Sequence, residues 1–145
     1  PMESLRGRDK LGTDVRMGPD PWLDTSPWDD GPILRVAKGP SDGSDDVSVT
    51  AAFAAIAETG TLMALSGPDS PTTLNFLPDN HVVILRASQV MAAYEDGWGA
   101  LRDSGARPRT VNFITGPSRT GDIEQKIQLG IHGPRRLHII IVDDV

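Results

Sequence analysis

The sequence predicts an α/β fold on a mostly parallel sheet, and three observations carry that reading. First, His81-Val82-Val83-Ile84-Leu85, Val111-Asn112-Phe113-Ile114 and Leu137 to Val142 are apolar runs of strand length. Their apolar character is continuous rather than alternating, as in parallel strands buried on both faces. Second, Val90, Met91, Tyr94, Trp98 and Leu101 recur at spacings of three and four, the period of a helix. Third, a glycine-flanked loop, 116–121, leads into a further helical stretch through Leu129. Strands separated by helices predict two right-handed βαβ crossovers in a three-layer arrangement, parallel and covered on both faces.

The elements follow in order. Residues 1–46 hold 6 of the 12 prolines, 6 of the 15 glycines and 10 of the 20 acidic residues, with no regular apolar period. Such a segment cannot bury a core of its own and reads as an irregular arm preceding an α/β domain over 47–145. Trp22 and Trp28 are expected to anchor this arm, and Ile33-Leu34-Arg35-Val36 could form a short strand. Residues Val47 to Ala57 suit a turn near Thr50 to Ala52 and then a strand over 54–58, although the alanine content also permits a helix. Thr59-Gly60 between apolar runs reads as a hairpin turn. Ser66 to Asn80 is a surface loop pinned by Leu74, Phe76 and Leu77. Ser88 is the expected N-cap of a helix over 88–103, weakened by Gly97 and Gly99 and ended by Ser104-Gly105. Strands at 110–115 and 137–142 complete the domain.

Composition excludes several chemistries. The chain has 145 residues and no cysteine, so disulfides, thiolate zinc sites, Cys-ligated iron–sulfur clusters and Cys nucleophiles are ruled out. A net charge of −6 argues against nucleic acid as a partner. No apolar run approaches the roughly 20 residues of a membrane span, and no signal peptide is visible. A soluble, cytoplasmic protein is expected. His81, His132 and His138 do not combine with carboxylates at ligand spacing, so no metal site is predicted.

Three stretches could carry chemistry. Gly116-Pro117-Ser118-Arg119-Thr120-Gly121-Asp122-Ile123-Glu124 lies between a strand and a helix, at the carboxyl end of the predicted sheet. Helix N-terminal N–H groups, the hydroxyls of Ser118 and Thr120 and the guanidinium of Arg119 would cradle an anion. The same hydroxyls suit plain helix capping, with Asp122 and Glu124 complementing the dipole and Asp122 paired to Lys126, and pattern alone leaves both readings open. The loop is no nucleoside-triphosphate P-loop, because the Gly-Lys-Ser/Thr ending is missing. Glu58-Thr59-Gly60-Thr61 places a carboxylate beside a tight turn, where it is either a solvated charge or a base or nucleophile. Gly130-Ile131-His132-Gly133-Pro134-Arg135-Arg136 offers His132 as acid, base or anion contact, or as a simple cap of loop carbonyls. His138, inside a strand, reads as structural.

Taken in this order, the three stretches resemble the lactate utilization protein C family, whose members carry the LUD domain. The resemblance covers roughly residues 47–143. Gly121 stands where the family usually has alanine, which loosens the start of the helix. Family members are also longer before the alanine-rich segment, so the chain reads as N-terminally shortened. The resemblance implies the fold of the sugar-phosphate isomerase and coenzyme A transferase superfamily. It further implies a part in oxidising L-lactate to pyruvate beside partner subunits that carry iron–sulfur clusters.

Three functions follow. In the first, the chain is a non-redox subunit binding a small carboxylate or phosphate at Thr59, Gly60, Thr61, Gly116, Ser118, Arg119, Thr120, Asp122 and Glu124, with Glu58 and His132 as candidate catalytic groups. It carries no iron–sulfur cluster and no covalently bound cofactor, and a shortened sheet predicts a homo-oligomer. In the second, it is a coenzyme A transferase-like enzyme using Glu58 as acyl acceptor. In the third, it is an assembly module without chemistry.

Overall fold

A computed structural model of the chain describes residues 14–26, 34–116 and 133–145. In chain order it contains β1 (Asp14–Met17), a 3-10 turn (Leu23–Thr25), β2 (Arg35–Lys38), β3 (Val47–Ala51), β4 (Ala54–Ile56), β5 (Thr61–Leu65), α1 (Thr73–Phe76), β6 (Asn80–Arg86), β7 (Val90–Met91), α2 (Tyr94–Ser104), β8 (Val111–Ile114) and β9 (Arg136–Val142). The strands form two sheets. In the first, β2-β1-β3-β6-β9 pair in parallel throughout. In the second, ordered β7-β4-β5-β8, β5 runs antiparallel to both β4 and β8, while β7 runs parallel to β4.

The continuous apolar run of β6 is explained by the two faces of the first sheet. Side chains alternate along a strand. Val82 and Ile84 therefore join Val15, Met17, Leu23, Val47 and Val49 in one core cluster. Val83 and Leu85 turn the other way and meet Ala52 and Leu62, which ties the first sheet to the second. Each such buried valine, leucine, isoleucine or methionine stabilises the fold by roughly 1.5–3 kcal/mol. On the far face of the second sheet, Leu101 of α2 packs with Ala54 and Met63. Gly97 permits that approach, since a Cβ there would lie 3.0 Å from Ile56 Cδ1 and 3.2 Å from Met63 Sδ.

Several sequence expectations are corrected. Composition predicts an irregular arm over 1–46, yet Asp14–Met17 forms a strand between β2 and β3, because Val15 and Met17 alternate with Asp14 and Arg16 and drop into the core. The expected turn at Thr50 belongs instead to β3, whose residues 47–50 are all buried. The expected parallel strand at 111–114 is β8, which pairs antiparallel with β5 in the other sheet, so β6 and β9 are direct neighbours. The expected helix from Ser88 begins only at Tyr94: Val90–Met91 pairs with β4, and Ser88 donates its hydroxyl to Asp144 Oδ2 at 2.6 Å. At the true start of α2, the Asp96 carboxylate accepts the Ala93 N–H at 3.0 Å. Of the residues expected to pin the 66–80 loop, Leu74 is fully buried, whereas Phe76 and Leu77 are exposed. β9 also departs from the prediction of burial on both faces, with Leu137, Ile139 and Ile141 exposed. The hairpin at Thr59-Gly60, the end of α2 at Gly105 and the strand at 137–142 stand as expected.

Trp22 packs on the first core cluster, with the Arg86 guanidinium 4.3 Å from its ring centroid. Trp28 lies outside the described residues. No helix among the described residues is long and apolar enough to cross a membrane.

Candidate functional site

The Glu58-Thr59-Gly60-Thr61 stretch is the tip of the β4–β5 hairpin. Gly60 has φ of +64°, a conformation that glycine adopts without the Cβ penalty other residues meet. Ala57 and Glu58 continue the β4 ladder by donating their N–H groups to Met91 and Ala92 carbonyls at 2.8 and 3.1 Å. The backbone of the tip is thereby fixed, while the Glu58, Thr59 and Gly60 side of the turn is exposed.

Thr61 is the exception: it is 1% exposed and sits at the centre of a hydroxyl cluster. Its Oγ1 lies 2.7 Å from Thr59 Oγ1, 3.1 Å from the Tyr94 hydroxyl and 2.9 Å from Thr115 Oγ1. Thr59 Oγ1 also donates to the Tyr94 hydroxyl at 3.1 Å. The β5–β8 register produces this meeting, because Leu62 pairs with Ile114 and so sets Thr61 beside Thr115. Tyr94, first residue of α2, is braced by an edge contact to Phe113, with ring centroids 5.4 Å apart.

Each hydroxyl has a single proton to give. Donation from Thr59 to Tyr94, Tyr94 to Thr61, Thr61 to Thr59 and Thr115 to Thr61 uses each proton once and satisfies all four contacts. The cluster is thus a brace whose donors are spent internally. When Tyr94 ionises, Thr61 can turn its proton to the phenolate, and a charge-assisted bond is roughly twice as strong as a neutral one. Hydrogen bonds from Thr59 and Thr61 accordingly hold the Tyr94 pKa below its ordinary value of 10.0, against the opposing effects of burial and of the Glu58 charge.

The brace joins two of the three sequence stretches. Thr115 immediately precedes Gly116, which is described and exposed. The hairpin tip therefore stands beside the point where the 116–124 stretch begins. Ser118, Arg119, Thr120, Asp122, Glu124 and His132 lie outside the described residues. Tyr94 and Thr115 are site residues that sequence reasoning missed. Tyr94 was legible only as an apolar position of a helix; pairing strand 111–114 against 61–65 would have exposed Thr115.

His81 is buried away from this site. It is 1% exposed, with Nε2 2.8 Å from Thr50 Oγ1. Desolvation lowers its pKa from 6.5 to about 4, so it is a neutral core residue at pH 7. His138 lies in β9 opposite Val82, as a strand residue. Among the described residues, no group of three His, Asp or Glu side chains gathers to hold a metal ion.

An α/β protein of two stacked sheets, with a hydroxyl-braced hairpin tip beside Gly116, is the class these features define. The family profile described as the LUD domain matches residues 41–142. The chain belongs to the LUD domain family. It is similar to Lactate utilization protein C of an Exiguobacterium species, 35% identical over 104 residues that cover 69% of this chain and 45% of that protein. It is 36% identical over 98 residues to Lactate utilization protein C of Deinococcus radiodurans, covering 67% of this chain and 46% of that protein. The chain thus spans about half the length of the curated relatives it matches. A crystal structure of a DUF162 family protein from Deinococcus radiodurans shares the fold, with a TM-score of 0.66 at 24% identity over 98% of this chain and 81% of that one.

Proposed function

We propose that the chain serves lactate utilization as a non-redox component that binds a small carboxylate or phosphate between the hairpin tip and the 116–124 stretch. The observation that carries this reading is the 2.9 Å contact between Thr61 and Thr115, which draws the two stretches together. Because the hydroxyl brace spends its own protons, ligand donors come from backbone N–H groups, from Ser118 and Thr120, and from the Arg119 guanidinium. Arg119 matches a carboxylate in a bidentate manner. Glu58 and His132 are the candidate bases for the substrate hydroxyl.

Oxidation of L-lactate to pyruvate releases two electrons and two protons. A chain without cysteine holds no Cys-ligated cluster; the resemblance to the lactate utilization protein C family implies iron–sulfur partner subunits, which in this reading take up the electrons. The names of the relatives support lactate utilization as the setting. The protein works in the cytoplasm and assembles as a homo-oligomer in this reading, with residues 47–145 as the unit that carries the site.

Calorimetric titration with L-lactate, pyruvate and phosphate tests the assignment. Replacing Arg119 by alanine should weaken binding by about 10- to 100-fold, the equivalent of one charged hydrogen-bonding group. Unchanged affinity would remove Arg119 from the site.

A further inference from the structure

A second cleft lies at the opposite end of the β5–β8 ladder from the Thr61–Thr115 brace. Four residue steps of about 3.3 Å along β5 separate the two ends. The cleft has a volume of about 570 Å³, and its lining includes Leu65, Pro68 and Pro108 as apolar walls, the hydroxyl-bearing Thr72, and Arg107 and Arg109. That volume falls in the range of small-molecule sites.

The two arginines line the cleft with exposed side chains. Proline at 108 disfavours helical backbone at Arg107. The chain bends at Arg109, and Arg107 and Arg109 both line the cavity. The strand-side wall is anchored by Ser66 N–H donating to the Thr110 carbonyl at 3.0 Å and Thr110 N–H donating to Ser66 Oγ at 2.9 Å. The facing turn is closed by reciprocal N–H to carbonyl bonds between Gly67 and Ser70, at 3.3 and 3.1 Å. Among the described residues, neither Arg107 nor Arg109 enters an ion pair, although the chain has 20 acidic residues and a net charge of −6. Two cations beside one cleft, without an ion-pair partner among the described residues, match a dianion.

We propose that this cleft binds a phosphorylated small molecule, with its phosphate against Arg107 and Arg109 and its organic body against Leu65, Pro68 and Pro108. A phosphate monoester carries close to two negative charges at pH 7, where a carboxylate carries one. Planar guanidinium groups suit phosphate oxygens. The site is separate from that of the proposed function and stands or falls independently of it.

Calorimetry of the full chain with ADP, glucose 6-phosphate, inorganic phosphate and succinate tests the proposal. At least one of the two organic phosphates should bind, more tightly than inorganic phosphate and succinate. The R107A/R109A double variant should lose at least tenfold in affinity, R107K/R109K should fall between, and Arg119→Ala should bind as the unsubstituted chain does. Thermal melts establish that each variant is folded, and the lysine pair preserves the charge should the alanine pair fail to fold. Absence of binding by both organic phosphates overturns the proposal. Equal or tighter succinate binding that R107A/R109A removes, full affinity for the organic phosphates in the lysine and alanine pairs, or loss of the organic-phosphate signal in Arg119→Ala also overturns it.

Discussion

Thr61 and Thr115 hold their hydroxyl oxygens 2.9 Å apart across the ends of two antiparallel strands, 54 positions apart in sequence. Thr61 is buried and Thr115 is exposed, so this contact runs from the core to the surface. It ties the hairpin tip to the start of the 116–124 stretch.

Thr61→Val keeps the shape of the side chain and removes the hub of the brace. Thr115, Thr59 and Tyr94 each lose a partner. Urea unfolding should show a loss of about 0.5–1.5 kcal/mol, the net worth of hydrogen bonds whose remaining partners water can reach. Thr59→Ala, on the exposed side of the turn, should cost less than half as much. Equal losses would show that burial of Thr61 is not what makes it central.

Tyr94 is the chain's one tyrosine, so absorbance titration reads it alone. Its midpoint should lie below 10 and should rise in a Thr59→Ala/Thr61→Val variant, because the two hydrogen bonds that favour the phenolate are gone. Tyr94→Phe should keep the edge contact to Phe113 and melt close to the unsubstituted protein, whereas Tyr94→Ala should melt clearly lower. A midpoint that ignores the threonine substitutions would contradict the hydroxyl network.

Gly97→Ala should destabilise the fold by about 1 kcal/mol. Alanine is the better helix former by a similar amount. Against that, its Cβ would press on Ile56 Cδ1 at 3.0 Å and Met63 Sδ at 3.2 Å, both fully buried, and overpacking of this kind costs about 1–3 kcal/mol. A gain in chemical-denaturation stability would show that the second sheet yields more readily than its packing indicates.

His81 sets an acid limit. Its folded pKa, about 4, lies below the ordinary 6.5, so the unfolded chain takes up the proton first. Stability from this residue is intact above pH 6.5 and is lost as pH falls towards 4, by roughly 3 kcal/mol in all. His81→Gln should flatten the stability profile between pH 7 and 4 relative to the unsubstituted chain. Parallel profiles would exclude His81 as the source.

Much of the fold is legible in the residues, and the failures have physical causes. The 137–142 run is readable because it is apolar and of strand length, and the turn at Gly60 because its neighbours are apolar runs. β1 is hidden because only Val15 and Met17 of its four residues are apolar, and its burial comes from β2 and β3 on either side. β8 reads as parallel because its apolar content does not record its partner, and its pairing with β5 is a tertiary choice. Ser88 looks like a helix cap by type, but Asp144 takes its hydroxyl. At the site, Glu58, Thr59, Gly60, Thr61 and Gly116 are legible as motif residues. Tyr94 and Thr115 enter only through strand register and helix placement, which composition does not encode.

The central claim is that the hairpin tip and the 116–124 stretch form one anion site, and a double-mutant cycle in pyruvate binding tests it most directly. Affinity is measured by calorimetry for the unsubstituted chain, Thr61→Val, Arg119→Ala and the double variant, all under conditions where each is folded. One shared site predicts that both single changes weaken binding and that the double variant departs from their sum by at least about 0.5 kcal/mol. Strict additivity, or pyruvate affinity untouched by Arg119→Ala, would contradict it.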